Sequence, residues 1–304
     1  MKKFYKLSNR FSFGGDHIIK ATSNERDLFG LIEKSETYLK FTEEEIVQAK
    51  LGLQKMGIKD GAPYVCMLNR DQRYLCDNFP EMKLDYHSFR NFSIKNYMLA
   101  AEELTKRGFY VIRMGVIVDE LMDTDNPKII EYADRGFRTD LLDLYLSANC
   151  YLFLSCNTGA DALPMVFHRP QVFVNISDFE RMRSWCSNCL IIFKKYWLKK
   201  EKRFMTIAET LRSGAGALNR TEEYENMGIE LIENTREETL DVVDEMDQRL
   251  KGTWQTTQKD EDLQARFWSY FKPNNLHYVI RSRIGAKFLR QHKEWLGLSD
   301  RATK

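Results

Sequence analysis

Residues 147–175 read SANCYLFLSCNTGADALPMVFHRPQVFVN, and their pattern decides the fold. The apolar run at 151–154 has the length of a buried strand, and Ser155, Cys156, Asn157, Thr158 and Gly159 follow it as a small polar turn. Ala162, Leu163, Met165 and Val166 then recur at helical spacing, and a β-rich run at 171–174 begins after Arg169-Pro170. Strand, turn, short helix and strand in succession make a βαβ unit. Such a unit sets the turn at the C-terminal edge of a sheet, against the first amides of a helix. Those amides lack intrahelical partners and carry the positive end of the helix dipole, which favours a phosphate. In that role Thr158 offers a hydroxyl and Gly159 lets the backbone come close to a ligand. The plainer alternative is that Asn157 or Thr158 only caps the helix.

The flanking sequence repeats the alternation. YVCML at 64–68 is a strand that delivers Asn69, Arg70 and Asp71 to its C-terminal end, where open α/β sheets bind ligands. The polar stretch 72–91, with Arg73, Tyr74, Asp85, His87, Arg90 and Asn91, exceeds the roughly two to six residues usual for such a loop and therefore reads as functional. An amphipathic helix is expected over 94–107, closed by Gly108, and FYVIR at 109–113 is a strand ending on Arg113, Met114 and Gly115. Residues 129–132 read as a short strand and 139–148 as a helix. After 175 come LIIF at 190–193 carrying Lys194 and Lys195, a helix at 206–212, the strand IELI at 229–232, and a helix at 235–250 capped by Thr235 with Glu238 three residues on. The pattern predicts an α/β fold with a doubly wound, mostly parallel, Rossmann-like sheet. Residues 1–60 read as an N-terminal extension with one helix opened by Thr42 and Glu45, and 251–304 as a charged, aromatic, helical tail packing back on the sheet. GxGxxG follows none of the strands, which argues against a nicotinamide-dependent dehydrogenase.

Composition narrows the class. With 304 residues, 43% of them hydrophobic and 30% charged, this is an ordinary soluble globular chain with room for one large or two ordinary domains. A net charge of +2 gives no reason to expect a nucleic acid partner. Basic and aromatic residues do cluster, at 194–203 (KKYWLKKEKR) and at 281–293, as a solvated face or as a face for phosphates or an anionic membrane surface. No window approaches the roughly 18 apolar residues of a membrane span, and the basic start lacks the apolar core of a signal peptide. Six cysteines are present, and Cys186 and Cys189 have CxxC spacing without a second pair or a histidine cluster, so neither metal nor redox function is expected of them. The expectation is a reduced, cytoplasmic protein, peripheral at the inner membrane where the basic segments make contact.

Four blocks together carry a resemblance: VCMLNRDQRYL from 65, HSFRNFSIKNYMLAAEELTKRGFYVIRMG from 87, CYLFLSCNTGADALPMVFHRPQVFVN from 150 and ELIENTREETLDVVDEM from 230. In order, they resemble a family of bacterial glycosyltransferases of surface-carbohydrate synthesis. More distantly they are similar to the nucleotide-sugar-binding half of GT-B enzymes such as fucosyl- and heptosyltransferases. The resemblance implies that 61–250 is a nucleotide-sugar-binding domain. It further implies transfer of a sugar from a nucleotide-diphosphate donor to a glycan or lipid-linked acceptor, without cofactor or metal. Asp123 and Asp125 have DxD spacing but follow a helix-like stretch, so a metal-dependent enzyme is not expected.

In that reading Arg70 neutralises the leaving diphosphate, where related fucosyltransferases carry an arginine in a comparable motif; the Gly-Asp that follows there is missing here. Asp71 is the first candidate base, with Asp85 and His87 behind it, so the catalytic candidates are Arg70, Asp71 and His87. Arg113, Gly115, Ser155, Asn157, Thr158, Gly159, Asp161 and Lys194 are the donor- and phosphate-binding candidates, with Glu131 and Lys195 as further ones. GT-B enzymes hold the acceptor between two Rossmann domains, and 1–60 is too short for a full one, leaving it a reduced acceptor-side region. A non-catalytic nucleotide-sugar-binding subunit with a separate acceptor partner is therefore the alternative, and an epimerase on the same donor a third.

Overall fold

The strands form where apolar side chains run without a break. Tyr64–Met67 (β1), Tyr110–Arg113 (β2), Ile129–Glu131 (β3), Phe153–Ser155 (β4), Gln171–Ile176 (β5), Cys189–Phe193 (β6) and Arg283–Ile284 (β10) make one sheet in the order β10-β6-β5-β4-β1-β2-β3. Every pairing in it is parallel. A parallel sheet is covered on both faces, which is why β1, β4, β5 and β6 are buried along their whole lengths. This is a computed structural model, and it describes residues 27, 29–70, 73, 84–180, 182–271, 277 and 279–298.

Within β1, Val65 and Met67 point to one side and Cys66 to the other, into two separate apolar clusters. The larger cluster lies under the helices Met98–Lys106 and Arg236–Leu250, and the smaller under Glu43–Lys55 and Asp140–Asn149. Helix Glu43–Lys55 starts where expected: the Thr42 amide donates to Glu45 Oε2 at 2.7 Å, and the Glu45 amide to Thr42 Oγ1 at 3.2 Å. Strand order runs outward from β1 to β3 on one side and from β4 to β6 on the other. The direction of winding therefore reverses between β1 and β4, a doubly wound sheet with its topological switch point there.

Three expectations are corrected. The strand at 229–232 is not in the parallel sheet: Ile229–Ile232 (β9) pairs antiparallel with Lys195–Leu198 (β7), which also pairs with Arg203–Phe204 (β8). One residue, Lys194, separates β6 from β7, so the chain leaves the main sheet in extended form and takes new partners. The segment after 250 holds not only the helices Gln258–Trp268 and Ala286–Gln291 but also the edge strand β10, whose two residues are too few for any alternation to reveal. Cys186 and Cys189, expected to be reduced, form a disulfide, because the turn between them brings their Cα atoms to 5.6 Å.

A pair of asparagines ties the sheets together. The Asn175 amide donates to Asn234 Oδ1 and the Asn234 amide to Asn175 Oδ1, both at 2.7 Å, while Asn234 Nδ2 donates to the Phe193 carbonyl at 2.9 Å. Both residues are buried, so no water replaces a lost partner. Asn234→Ala is expected to lower the unfolding free energy by about 2–4 kcal/mol, read from the urea midpoint at unchanged m-value.

Candidate functional site

The carboxyl ends of β1, β2 and β4 surround a cleft of about 500 Å³. Arg70 comes from the β1 side, Gly115 from the end of β2, and Thr158 and Gly159 from the turn after β4. Much of the remaining wall is apolar, with Met114, Val116, Ile117 and Val118 opposite Leu163 and Phe153. Gly115 has φ +151°, a region that favours glycine, and a Cβ there would stand 3.3 Å from Val118 Cγ1. Above Gly159 lies open space. A mostly apolar cleft of this size with a few polar groups, at the switch point of a doubly wound sheet, has the usual form of a small-molecule site.

Sequence reading missed one carboxylate of this cleft. Asp143 lines it from helix Asp140–Asn149, and its Oδ2 is 2.7 Å from Arg138 Nη2. Burial lifts its carboxyl above the usual aspartate value, although Arg138 and the Tyr132 hydroxyl oppose the shift. The only hint in the sequence is a polar residue in an apolar helix, a common feature of half-exposed helices.

The turn after β4 departs from expectation in its electrostatics. Asp161 is fully buried, and its carboxylate folds back over the turn. It accepts from Ser155 Oγ at 2.5 Å, from the Thr158 amide at 2.5 Å and from Thr158 Oγ1 at 3.1 Å, and lies 3.6 Å from Arg183 Nη2. Burial raises its pKa, against the pull of Arg183, Ser155 and Thr158. The Thr158 amide at the helix start thus faces the chain's own carboxylate. The helix is also interrupted, a 3-10 turn at Gly159–Asp161 followed by the single α-helical stretch Ala162–Val166. Asn157 sits at φ +65°, and its carbonyl accepts from Arg90 Nη2 at 2.5 Å. Arg183, another residue that no motif marks, donates to Asn157 Oδ1 at 3.4 Å and to the Thr158 carbonyl at 3.4 Å.

Arg113 is fully buried: Nη2 donates to Asn69 Oδ1 at 3.0 Å, Nη1 to Glu131 Oε1 at 3.2 Å and also to the Glu120 carbonyl. It braces the ends of β1, β2 and β3 and turns away from the turn after β4, because Glu131 on the neighbouring strand is its buried counter-charge. Lys194 is buried too, and its ammonium donates to the carbonyls of Phe89 at 3.1 Å and Asn91 at 2.6 Å, pinning segment 84–92 to the end of β6. Lys195 Nζ lies 2.6 Å from Glu238 Oε1. His87 lies in the 3-10 helix Leu84–Arg90 with its ring 4.0 Å from that of Tyr86, and does not line the cleft. Asp71 lies outside the described residues. Among the described residues, no group of three or more His, Cys, Asp or Glu side chains is arranged to hold a metal ion. No helix among them is long and apolar enough to cross a membrane.

Burial and Asp161 push the Cys156 thiol up to about 12, the charges of Arg90 and Arg70 pulling the other way. Of the predicted set, then, the structure brings Arg70, Gly115, Thr158 and Gly159 together around one cleft. Ser155, Asp161, Arg113 and Lys194 are buried and do not line it.

No family model matches the chain, and no curated protein matches it. Among solved structures it is similar to E. coli ADP-heptose LPS heptosyltransferase II, with 13% identity and a TM-score of 0.33. The match covers 51% of this chain and 44% of that one, so the chain spans less than half of the heptosyltransferase.

Burial carries the Lys194 ammonium down from the usual 10.5 to about 8. A lysine depressed in the folded state stabilises the fold least below pH 8, where both states are charged, and the penalty disappears as pH rises through the unfolded value. Relative to Lys194→Met, the parent is expected to gain up to about 3 kcal/mol between pH 8 and 10.5, followed by urea unfolding across that range. A constant difference would show that the ammonium is not desolvated.

Proposed function

We propose that the chain is a GT-B-like glycosyltransferase that binds a nucleotide-diphosphate sugar in the cleft between the ends of β1, β2 and β4. Its acceptor would be a glycan or lipid-linked sugar. The observation that carries this reading is the convergence of Arg70, Thr158, Gly159 and Asp143 on one roomy cleft at the switch point of a doubly wound sheet. Arg70 supplies positive charge for the diphosphate, while Asp161 already occupies the Thr158 amide. The Thr158 hydroxyl spends its proton on Asp161 and so faces a ligand as an acceptor, suited to a sugar or ribose hydroxyl. The apolar wall suits the flat face of a base.

In transfer, the acceptor oxygen forms the new bond to the anomeric carbon as the bond to the diphosphate breaks. The electron pair of the broken bond stays on the diphosphate, beside Arg70, and the acceptor proton passes to a carboxylate. Asp143 takes that role here, because it lines the cleft and burial raises its basicity. The second reading, a binding subunit without turnover, is favoured by Asp161: a carboxylate at the turn opposes charge build-up on a leaving group placed there.

Calorimetry and thermal shift against UDP-, GDP-, ADP- and CMP-sugars test the reading. One of these is expected to bind, and Arg70→Ala to weaken it at least tenfold. Asp143→Asn is expected to leave donor affinity within about twofold and to lower the rate of transfer or donor hydrolysis by about 10²–10⁴. Binding of none of them overturns the proposal, and binding with no turnover in the parent selects the second reading.

A further inference from the structure

The two basic, aromatic segments meet different fates in the fold. The C-terminal one is consumed internally: Arg281 lies 3.5 Å from Glu33, Arg283 2.7 Å from Glu261, Lys287 2.6 Å from Asp241 and Arg290 2.6 Å from Asp260. The other forms the hairpin of β7 and β8. Its Arg203 is held by Glu201 at 2.6 Å and Glu209 at 2.8 Å. Lys199, Lys200 and Lys202 are exposed and, among the described residues, have no ion-pair partner.

Apolar groups stand beside these lysines. Along β7 the side chains alternate: Tyr196 is fully buried and Leu198 packs on the core, which leaves Trp197 on the outer face. Phe204 is its cross-strand partner, with ring centroids 4.9 Å apart, and is 45% exposed. Met227, 40% exposed, joins them, because the Lys199 amide donates to the carbonyl of the adjacent Gly228 at 3.0 Å. Glu230, also paired with Trp197, and Glu201, bound to Arg203, are the acidic residues beside Lys199, Lys200, Lys202 and Arg203.

We propose that this hairpin is a docking surface for an anionic lipid bilayer. Lysines are compact, strongly hydrated charges suited to a diffuse negative surface, and aromatic rings settle at headgroup depth. A net charge of +2 on the whole chain, with the only arginine of the hairpin already forked onto Glu209, fits a local lipid contact better than a nucleic acid track. Because β7 leaves β6 at its carboxyl end, the hairpin projects from the sheet edge on which the cleft opens. Docking therefore holds that edge, and the cleft with it, toward the membrane. The inference rests on the hairpin alone and stands whether or not the cleft binds a nucleotide sugar.

Co-sedimentation of the full chain with phosphatidylcholine vesicles, with and without about 30 mol % phosphatidylglycerol, is the test. Binding is expected only to the anionic vesicles and to fall with added salt. The combined variant Lys199→Gln, Lys200→Gln, Lys202→Gln is expected to weaken it at least tenfold at an unchanged melting temperature. Phe204→Ser is expected to weaken it severalfold while leaving the salt dependence. Equal binding to neutral vesicles, or undiminished binding by the triple variant, overturns the proposal. So does lysine-dependent binding to double-stranded DNA as tight as to the vesicles, which would mark the hairpin as a general polyanion surface.

Discussion

A carboxylate with no access to solvent controls the most important corner of this molecule. Asp161 gathers Ser155, the amide and hydroxyl of Thr158, and the Arg183 guanidinium around one buried charge. Removing such a charge from water is costly, and it is tolerated only with its oxygens almost fully engaged. The arrangement links the turn after β4 to the end of that strand and to Arg183, and leaves Gly159 uncovered beside it. The first amide there faces the protein's own negative charge.

The same economy recurs at the neighbouring strand ends. Arg113 and Lys194 arrive at the carboxyl edge of the sheet, as their sequence positions require, yet both turn inward. Arg113 finds Glu131 across β2 and β3, and Lys194 finds two backbone carbonyls of segment 84–92. These cations scaffold the edge, with Arg90 and Arg183 as further braces at Asn157. Arg70 is the predicted cation that lines the cleft. Positive charge near a candidate site is thus of two kinds, and only partners in space tell them apart.

The carboxyl edge also collects features from distant parts of the chain. The cleft opens there, segment 84–92 is pinned there, and the β7–β8 hairpin leaves from there. The asparagine pair at 175 and 234 holds the small antiparallel sheet to the large one at the same edge. The cleft and a charged, aromatic projection therefore share one rim of the sheet.

Much of the architecture was readable from residue order alone. Unbroken apolar runs of strand length, alternating with capped amphipathic helices, specify a doubly wound parallel sheet, because both properties are local and repeat every few residues. The start of the helix opened by Thr42 and the strand-end positions of Arg70, Arg113 and Gly115 followed from the same patterns. What lay beyond reach was pairing at a distance. Residues 229–232 look like any strand, and only the three-dimensional fold sets them antiparallel to β7. Asp143 looks like a helix-surface residue until β4 and the segment after β2 close around it. Whether Asp161 would receive a ligand's charge or replace it depended on Ser155, Thr158 and Arg183 meeting at one point. Local sequence encodes the strands and caps, but the direction in which a buried charge points is decided by its counter-charge, and that arrives from elsewhere in the chain.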